Sequence, residues 1–539
     1  MKILLKRMPA ARWLAALCAA LLLAAAGCGG SADGSVTLKV YLFGEAQNMD
    51  KVLDRFYAET KDTLNVKLDI IWSSGADHRE KMPLMMSNQE DADLVFDAYW
   101  MNLNRLSTQG AYADISRYFT DSQYPGLRSA FPPEYLRQVT NADGSIYAIP
   151  FTQAAEDIQV ILLRKDLREK YGLAPIQSNA ELEAFFKRVK ADIDSGALAM
   201  VSPFAVGPSR GFYYLDDDII EKRAANVLNI DGTGNGVGMM FDVALSADGK
   251  TVLGAATLGD PDSAYARFPA PYNRNTRNDR VINAIPKWAA YAQADRQTET
   301  NASSNLFDVE KVAAVEGNIS NYLNASRTME RLGKSVEAYV YVPTMQKRER
   351  VVSQALTAWN FLCIPRQSKK VDKTMAFIDW LFQSRANHDL FEFGIEGEDW
   401  TAVGEDEYAD IAGEHKYMFP GYEMTWNPSY IRIDTNYPEE IKALFKYQND
   451  PATYIASPIA GFTFNNEADS TLRTAYASVA GIQATYRPIL MLGLAGSPAK
   501  AKAALEEYYG KVKNAGLEVI RKAVIDQVQA YLDREQRNL

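Results

Sequence analysis

Residues 92–100 read ADLVFDAYW, an apolar run that opens into two aromatic residues. The residues that follow, from about Met101 to Gln109, carry helical spacing, and Gly110 ends it. This order predicts a buried strand that leads into a helix. Strands that alternate with helices form largely parallel sheets, in which ligands bind beyond the carboxyl ends of the strands. Trp100 stands at such an end.

The same alternation is present upstream. Residues 36–43 (VTLKVYLF) alternate as in a strand, and Gly44 breaks the pattern. Helical spacing follows over 49–59, and a second strand is predicted over 66–72. The first part of the chain is therefore predicted to be a parallel α/β sheet.

Downstream, the strands become fewer and the helices more frequent. Residues 143–168 predict a turn, a short strand to Pro150 and a buried strand over 159–163. Residues 498–532 have the spacing of one or two long amphipathic helices. We therefore predict an α/β protein with a helical C-terminal region.

The amino terminus has the pattern of a secretion signal. Basic side chains precede an apolar run over 13–26, and small residues follow. Ala25-Ala26-Gly27-Cys28 resembles a bacterial lipobox, which implies that Cys28 is acylated and that lipid chains hold the mature protein on the membrane. An ordinary signal peptide and an uncleaved anchor are the alternatives. Residues 1–28 are thus predicted to be a lipoprotein signal and 29–35 a flexible tether.

Composition narrows the range of partners. The chain carries a net charge of −10, which becomes −14 without the four basic residues of 1–28. This acidic balance argues against nucleic acid and anionic lipid as partners. Roughly 500 residues of ordinary globular composition beyond the signal predict two or more domains. No other stretch is apolar for long enough to span a membrane, so the remainder is expected to be soluble.

The reactive side chains form no catalytic or metal-binding pattern. Cys363 is the single cysteine after the lipobox and lies in an apolar stretch, so we predict a buried thiol without a disulfide. The three histidines are far apart and lack metal-ligand spacing. We therefore expect no metal, no cofactor and no enzymatic activity.

Several stretches together resemble a known family. They are DLVFDAYW (93–100), GAYADI (110–115), SIYAIP (145–150), LRKDL (163–167) and VEGN (315–318). In their order and spacing they are similar to the extracellular solute-binding proteins, family 1, which serve sugar ABC importers. The last third of the chain resembles the LipO-type lipoproteins of this group, whose carboxyl-terminal domain has no assigned function. That likeness is carried by FGIEG (393–397), SPIAGFTF (457–464) and YRP (486–488).

The resemblance implies a type II periplasmic-binding-protein-like fold. Such a fold has two α/β lobes joined by three hinge crossings and closes on its ligand by a hinge motion. Mapped onto this chain, lobe one is expected at 36–151 plus 358–393. Lobe two is expected at 152–357 plus 394–539, including the helical C-terminal region.

The candidate ligand-binding residues follow from the chemistry of sugars. A sugar presents hydroxyl groups and flat apolar C–H faces, so its site needs aromatic rings beside amide or acid side chains. Aromatic and polar residues at predicted strand ends, crossings and loops fit this description, and the family's late loop supplies an aromatic where Phe464 stands. Ile319 departs from the family, which often has an aromatic there. The candidates are Glu45, Gln47, Trp72, Asp97, Trp100, Gln153, Asn318, Trp359, Asn360, Trp426 and Phe464.

These expectations combine into one functional hypothesis. The resemblance implies a monomeric, lipid-anchored binding protein on the extracytoplasmic face of a bacterial cell membrane. It would capture an oligosaccharide between two lobes and deliver it to the permease subunits of an ABC importer. One alternative is a sensory partner that presents ligand to a membrane histidine kinase, because transport and sensing use the same fold and cleft. A peptide-binding receptor is the other alternative.

Overall fold

The computed structural model describes residues 34–141, 143–152, 158–206, 212, 215, 225–231, 240–294, 302–353, 358–411, 417–460 and 462–538. Cys28 and Gln153, two of the predicted functional residues, lie outside these ranges, as do the predicted signal and most of the tether. Within them, no helix is both long and apolar enough to cross a membrane.

The first part of the chain forms a five-stranded sheet. Its strands lie in the order Val66–Ser73, Val36–Phe43, Leu94–Ala98, Asn360–Cys363 and Ile149–Phe151. The first three run parallel, as predicted, and Asn360–Cys363 is antiparallel to its two neighbours. Every residue of Leu94–Ala98 is buried, because this strand lies in the middle of the sheet between layers of helices. The helices of this part are Met49–Thr60, Gly75–Asn88, Leu103–Thr108, Ser116–Thr120, Pro125–Ala130, Pro133–Leu136, Val371–Gln383 and Arg385–Phe393.

A second five-stranded sheet follows. Its strands lie in the order Ala292–Ala294, Ser202–Val206, Val312–Asn318, Gln159–Arg164 and Val336–Val340. Gln159–Arg164 is antiparallel to both of its neighbours. The helices of this part are Lys165–Lys170, Asn179–Asp194, Thr276–Asp279, Ile285–Ala289, Ala302–Asp308, Tyr322–Arg331, Pro343–Gln346, Glu439–Asn449, Ser470–Leu490, Pro498–Ala515 and Leu517–Asn538.

Three smaller sheets accompany the two large ones. They consist of Val227–Asp231, Met240–Leu245 and Val252–Thr257; of Trp400–Val403, Glu407–Asp410 and Ile433–Asp434; and of Val351–Ser353 with Tyr454–Ala456. The last pair joins two strands about 100 residues apart in sequence, so distant parts of the chain are held together there.

Buried side chains form two large hydrophobic cores. The first core draws on residues between 38 and 151, 358 and 391, and 417 and 424. The second draws on residues between 158 and 345 and between 441 and 532. The chain therefore passes from one core to the other three times, within 151–158, 345–358 and 424–441.

The third passage differs from the predicted division, which placed 394–539 in lobe two. Phe419 and Met424 are buried in the first core. The backbone of Met418 also pairs in both directions with that of Gln47, with N···O distances of 2.8 and 3.2 Å. Residues 417–424 therefore pack with the first sheet, because their bonding partners come from the end of its first strand. The lobe limits otherwise stay a prediction.

Candidate ligand-binding site

The strands of the first sheet end along one side, which we call the first edge. Trp72 pairs with Leu42 in the parallel ladder. Asn360, on the antiparallel strand, lies between Ala98 and Phe151. Segments from four parts of the sequence are therefore brought side by side. The predicted site residues at this edge include Trp72, Trp100, Trp359 and Asn360.

Four aromatic rings form a continuous row along the first edge. They are Trp426, Tyr422, Phe43 and Trp100, and we call them the aromatic row. The successive ring centroids are 5.9, 6.1 and 5.7 Å apart. Trp100 Nε1 donates a hydrogen bond to Asn360 Oδ1 at 3.2 Å, which fixes the indole ring. All four side chains are half-buried, so part of each ring remains accessible to a ligand.

The segment 417–426 is bonded to the ends of the first two strands. The backbone N–H of Phe43 donates to Glu423 Oε2 at 2.7 Å. The ring of Phe419 lies 6.1 Å from that of Trp72, centroid to centroid, in an edge-on arrangement. These contacts place Tyr422 and Trp426 in register with the rings that the strands themselves supply.

Glu45 and Gln47 leave the first strand beside this segment. Both side chains are exposed, and only the backbone of Gln47 is engaged, through its pairing with Met418. The two side chains are therefore at the first edge and accessible from solvent.

Asp97 has a different role from the one its strand-end position suggested. Its carboxylate is 1% exposed and accepts hydrogen bonds from Tyr112 Oη at 2.5 Å and from the backbone N–H groups of Ala98 and Asn102 at 2.8 and 3.0 Å. Burial raises the pKa of Asp97 to about 6. Because its acceptor oxygens are occupied within the protein, Asp97 stabilises the turn after the strand, and we do not include it among the ligand-binding residues.

The second sheet ends along a corresponding side, which we call the second edge. Asn318, a predicted site residue, pairs there with Gln159, directly after the first passage between the cores. The backbone N–H of Asn318 donates to Asn321 Oδ1 at 2.9 Å and begins a short turn. Tyr437 Oη donates to the carbonyl of Ser320 in this turn at 3.2 Å.

Phe464, the remaining candidate, is buried in the second core, at 3% exposure. Its neighbour Thr463 has its Oγ1 3.1 Å from Tyr99 Oη, so this loop reaches the residue just before Trp100. The ring of Tyr99 in turn lies 6.3 Å from that of Trp359, centroid to centroid, and Trp359 is 44% exposed.

Two cavities lie between residues of the first and second cores. The smaller has a volume of about 360 Å³ and is called the Trp426 cavity. Tyr422, Trp426 and Asn427 line it from the first side, and Gln448 and Asn449 line it from the second. Asn449 Oδ1 is buried and has no hydrogen-bond partner among the described residues.

The larger cavity has a volume of about 1030 Å³ and is called the Phe464 cavity. Gln138 and Tyr147 line it from the first side, and Phe464 and Tyr531 line it from the second. Both cavities combine aromatic rings with amide groups, which is the lining expected of a site for a polar ligand with apolar faces.

Burial favours the protonated form of two carboxyl groups near the aromatic row. Burial raises the pKa of Glu423 to about 9, and it also raises the pKa of Glu392. Glu392 lines the Trp426 cavity and accepts a hydrogen bond from Thr425 Oγ1. A protonated carboxyl group can donate as well as accept a hydrogen bond, so this end of the site is suited to neutral hydroxyl groups.

Sequence reasoning missed three rings of the site: Phe43, Phe419 and Tyr422. Phe43 closes a strand that was predicted correctly, so its strand-end position was an available signal. Phe419 and Tyr422 flank Pro420-Gly421, a turn-forming pair, but nothing local indicates that this turn packs against the first strand.

No protein-family model matches the chain. A carbohydrate ABC transporter substrate-binding protein of Streptococcus pneumoniae serotype 4 is 29% identical over 185 residues, which are 33% of this chain and 35% of that protein. The chain thus matches about a third of the length of this curated relative.

Solved structures match over nearly the whole chain. The N-glycan transport solute binding protein NgtS of Streptococcus pneumoniae has a TM-score of 0.64 and 18% identity, and the match covers 93% of this chain and 100% of that one. This chain has the fold of the two-lobe solute-binding proteins. A solute-binding protein of Bifidobacterium longum infantis, described as binding HMO, has a TM-score of 0.63 and 14% identity, with 93% and 99% covered. Both proteins are named as binding proteins rather than as enzymes.

These matches confirm the predicted fold class, two α/β lobes with a helical C-terminal region. At such identities the structural likeness shows the fold alone. The name of the curated relative agrees with the sugar-importer resemblance of the sequence. Membership of the LipO-type subgroup stays a prediction.

Proposed function

We propose that this protein is a lipid-anchored solute-binding protein, which captures an oligosaccharide between its two lobes and delivers it to an ABC permease. The observation that carries the proposal is the aromatic row at the first edge, opposite the amide groups of the second side. Flat rings stack on the C–H faces of sugars, while amides bond directionally to hydroxyl groups. The pneumococcal relative, by its name, serves the same class of substrate.

Hinge motion would connect capture to delivery. The aromatic row belongs to the first side, whereas Asn449 and Gln448 belong to the second. Because the chain passes between the two cores three times, a ligand that bonds to both sides favours the state in which they approach each other. We propose that this liganded state is the one that docks on the permease, with the protein acting as a monomer.

Cys28 supplies the proposed attachment to the membrane. Acylation at this residue would hold the protein on the extracytoplasmic face, with 29–35 as a spacer. Changing Cys28→Ser should move the protein from the membrane fraction to the soluble fraction. Mass spectrometry of the amino-terminal peptide should show lipid on Cys28 of the wild type; an unmodified Cys28 would contradict the anchor while leaving the binding function untouched.

Calorimetry on the mature protein tests the binding function. A panel of oligosaccharides and a panel of oligopeptides of matched length should be titrated under the same conditions. At least one oligosaccharide is expected to bind with a Kd of about 1 µM or below, which corresponds to about −8 kcal/mol. Binding confined to the peptide panel, or no binding in either panel, would reject the proposal.

A further inference from the structure

The charged groups that line the Phe464 cavity are all positive. Among the described residues that line it, the two charged side chains are Arg137 and Arg534, and the rest are aromatic, amide, hydroxyl or alanine side chains. This is unexpected in a chain whose net charge is −10. A pair of arginines among amides is suited to a ligand that combines a carboxylate with hydroxyl groups.

The two guanidinium groups share a single carboxylate. Arg137 Nη1 lies 3.5 Å from Glu535 Oε2, and Arg534 Nε lies 3.8 Å from Glu535 Oε1. Both distances exceed the roughly 2.7–2.9 Å of a strong charge-assisted hydrogen bond. Two positive charges and one negative charge give this part of the cavity a net positive charge. The two arginines therefore still have N–H groups that can donate to a second carboxylate.

The cavity adjoins the aromatic row through two residues. Thr463, which lines the cavity, has its Oγ1 3.1 Å from Tyr99 Oη. Tyr99 directly precedes Trp100, the last ring of the row, and its own ring contacts the exposed Trp359. The Phe464 cavity therefore lies beside the residue that precedes Trp100 in the chain.

We propose that the Phe464 cavity binds the carboxylate of an acidic sugar residue, of the uronic or sialic acid class, at one end of an oligosaccharide held by the aromatic row. The inference rests on the proposed function. Arg137 and Arg534 bind the carboxylate, the amides Gln138 and Asn141 bond to hydroxyl groups, and Glu535 competes with the ligand for the arginines.

The first test is a glycan array that contains neutral and acidic oligosaccharides in matched pairs, such as lactose with 3′-sialyllactose and methyl-esterified with free trigalacturonate. In each pair that shows binding, the acidic oligosaccharide is expected to bind at least about tenfold more tightly than the neutral one. Binding confined to neutral members overturns this proposal and leaves the oligosaccharide function intact. Absence of binding on the whole array overturns both.

Three variants then test the assignment with the tightest acidic glycan. Arg137→Gln is expected to weaken binding about tenfold and to reduce its salt dependence. Glu535→Gln is expected to strengthen binding about threefold, because the competing carboxylate is removed. Arg473→Gln is the matched control, since Arg473 pairs with Glu467 at 3.1 Å and does not line the cavity. Its affinity should equal that of the wild type.

The Glu535→Gln variant separates ligand binding from a structural role. If Glu535 served only to hold the two sides together through Arg137, its loss would weaken binding or leave it unchanged, and either result overturns the proposal. Unchanged affinity in Arg137→Gln, with a melting temperature equal to that of the wild type, overturns it as well.

Discussion

The two sides of the cleft differ in the chemistry they offer. The first edge supplies rings that contact one another in a row, and they are fixed by hydrogen bonds such as that of Trp100 to Asn360. The second side supplies amide groups, among which Asn449 has a buried oxygen with no hydrogen-bond partner in the part of the chain that the structure describes. The rings of the first edge are thus fixed by contacts within the protein, whereas the second side contributes amide side chains to the cavity lining.

This difference suggests a division of roles. A preformed stacking surface needs little ordering on binding, so it should supply most of the affinity. Unsatisfied polar groups gain their bonds only when a ligand reaches them, so they should contribute specificity and favour the approach of the two sides. Changes on the first edge should therefore affect affinity more than changes on the second side.

The largest effect is expected for Trp100→Ala. This change removes the last ring of the row and leaves Asn360 Oδ1 without its indole donor. We expect the Kd for the best oligosaccharide to rise about 100-fold, or about 2.7 kcal/mol, as measured by calorimetry.

Trp380→Phe is the matched control for this change. Trp380 packs beside Phe56 and Phe391 in the first part of the molecule and is not part of the row. The Trp380→Phe variant should be less stable than the wild type but should bind the oligosaccharide with the same Kd. Equal affinities for the Trp100→Ala variant and the wild type, with both proteins folded, would show that the row does not bind the ligand.

Glu423→Gln tests what holds the segment 417–426 against the first edge. The carboxyl of Glu423 has an ordinary pKa of 4.5 and a folded-state pKa of about 9, because it is buried. Between these values the folded protein binds more protons than the unfolded chain, so this group lowers stability as pH rises. Glutamine cannot ionise, yet it keeps an oxygen to accept from the Phe43 N–H.

The Glu423→Gln variant is therefore expected to lose less stability than the wild type between pH 5 and pH 6.5. The difference should be about 2 kcal/mol, measured by chemical denaturation at both pH values. Glu45→Gln, at an exposed position beside the same strand, is the matched control and should follow the wild type. If the variant and the wild type show the same dependence of stability on pH, then Glu423 ionises in the folded protein near its ordinary pKa.

Asn449→Ala should have a smaller effect, since it alters the second side. It removes a side chain that lines the Trp426 cavity and whose buried oxygen has no hydrogen-bond partner among the described residues. We expect the Kd to rise about tenfold, roughly 1.4 kcal/mol, with stability unchanged or slightly increased. Asn283→Ala, at an exposed helix position, should bind as the wild type does. A loss as large as that of Trp100→Ala would contradict the division of roles.

Strand positions in the first sheet could be predicted because their signals are local. The strand predicted over 36–43 is present as Val36–Phe43, and the apolar run 92–98 contains Leu94–Ala98. The amphipathic stretch 498–532 became two helices, Pro498–Ala515 and Leu517–Asn538, separated by Gly516 with a φ of 115°. Only glycine adopts such an angle without strain, so the break itself has a sequence signal.

The candidate site could be predicted only in part. Trp72, Trp100 and Asn360 were found because strand ends meet at one edge of a sheet. Asp97 met the same criterion, but the sequence could not show that Tyr112 Oη would occupy its carboxylate. The segment 417–426 was missed because its partners, among them Phe43, are close only in the folded chain.

The smallest effect is expected for Trp359→Ala, which tests how far the stacking surface extends beyond the row. Trp359 is 44% exposed and touches Tyr99 only edge-on, at 6.3 Å between centroids. We expect the Kd of a long oligosaccharide to rise about threefold, with a disaccharide unaffected, because only the longer ligand reaches past Trp100. An equal loss of affinity for the disaccharide and the long oligosaccharide would place Trp359 within the main stacking surface. Trp359 would then contribute to binding in the same way as the rings of the aromatic row.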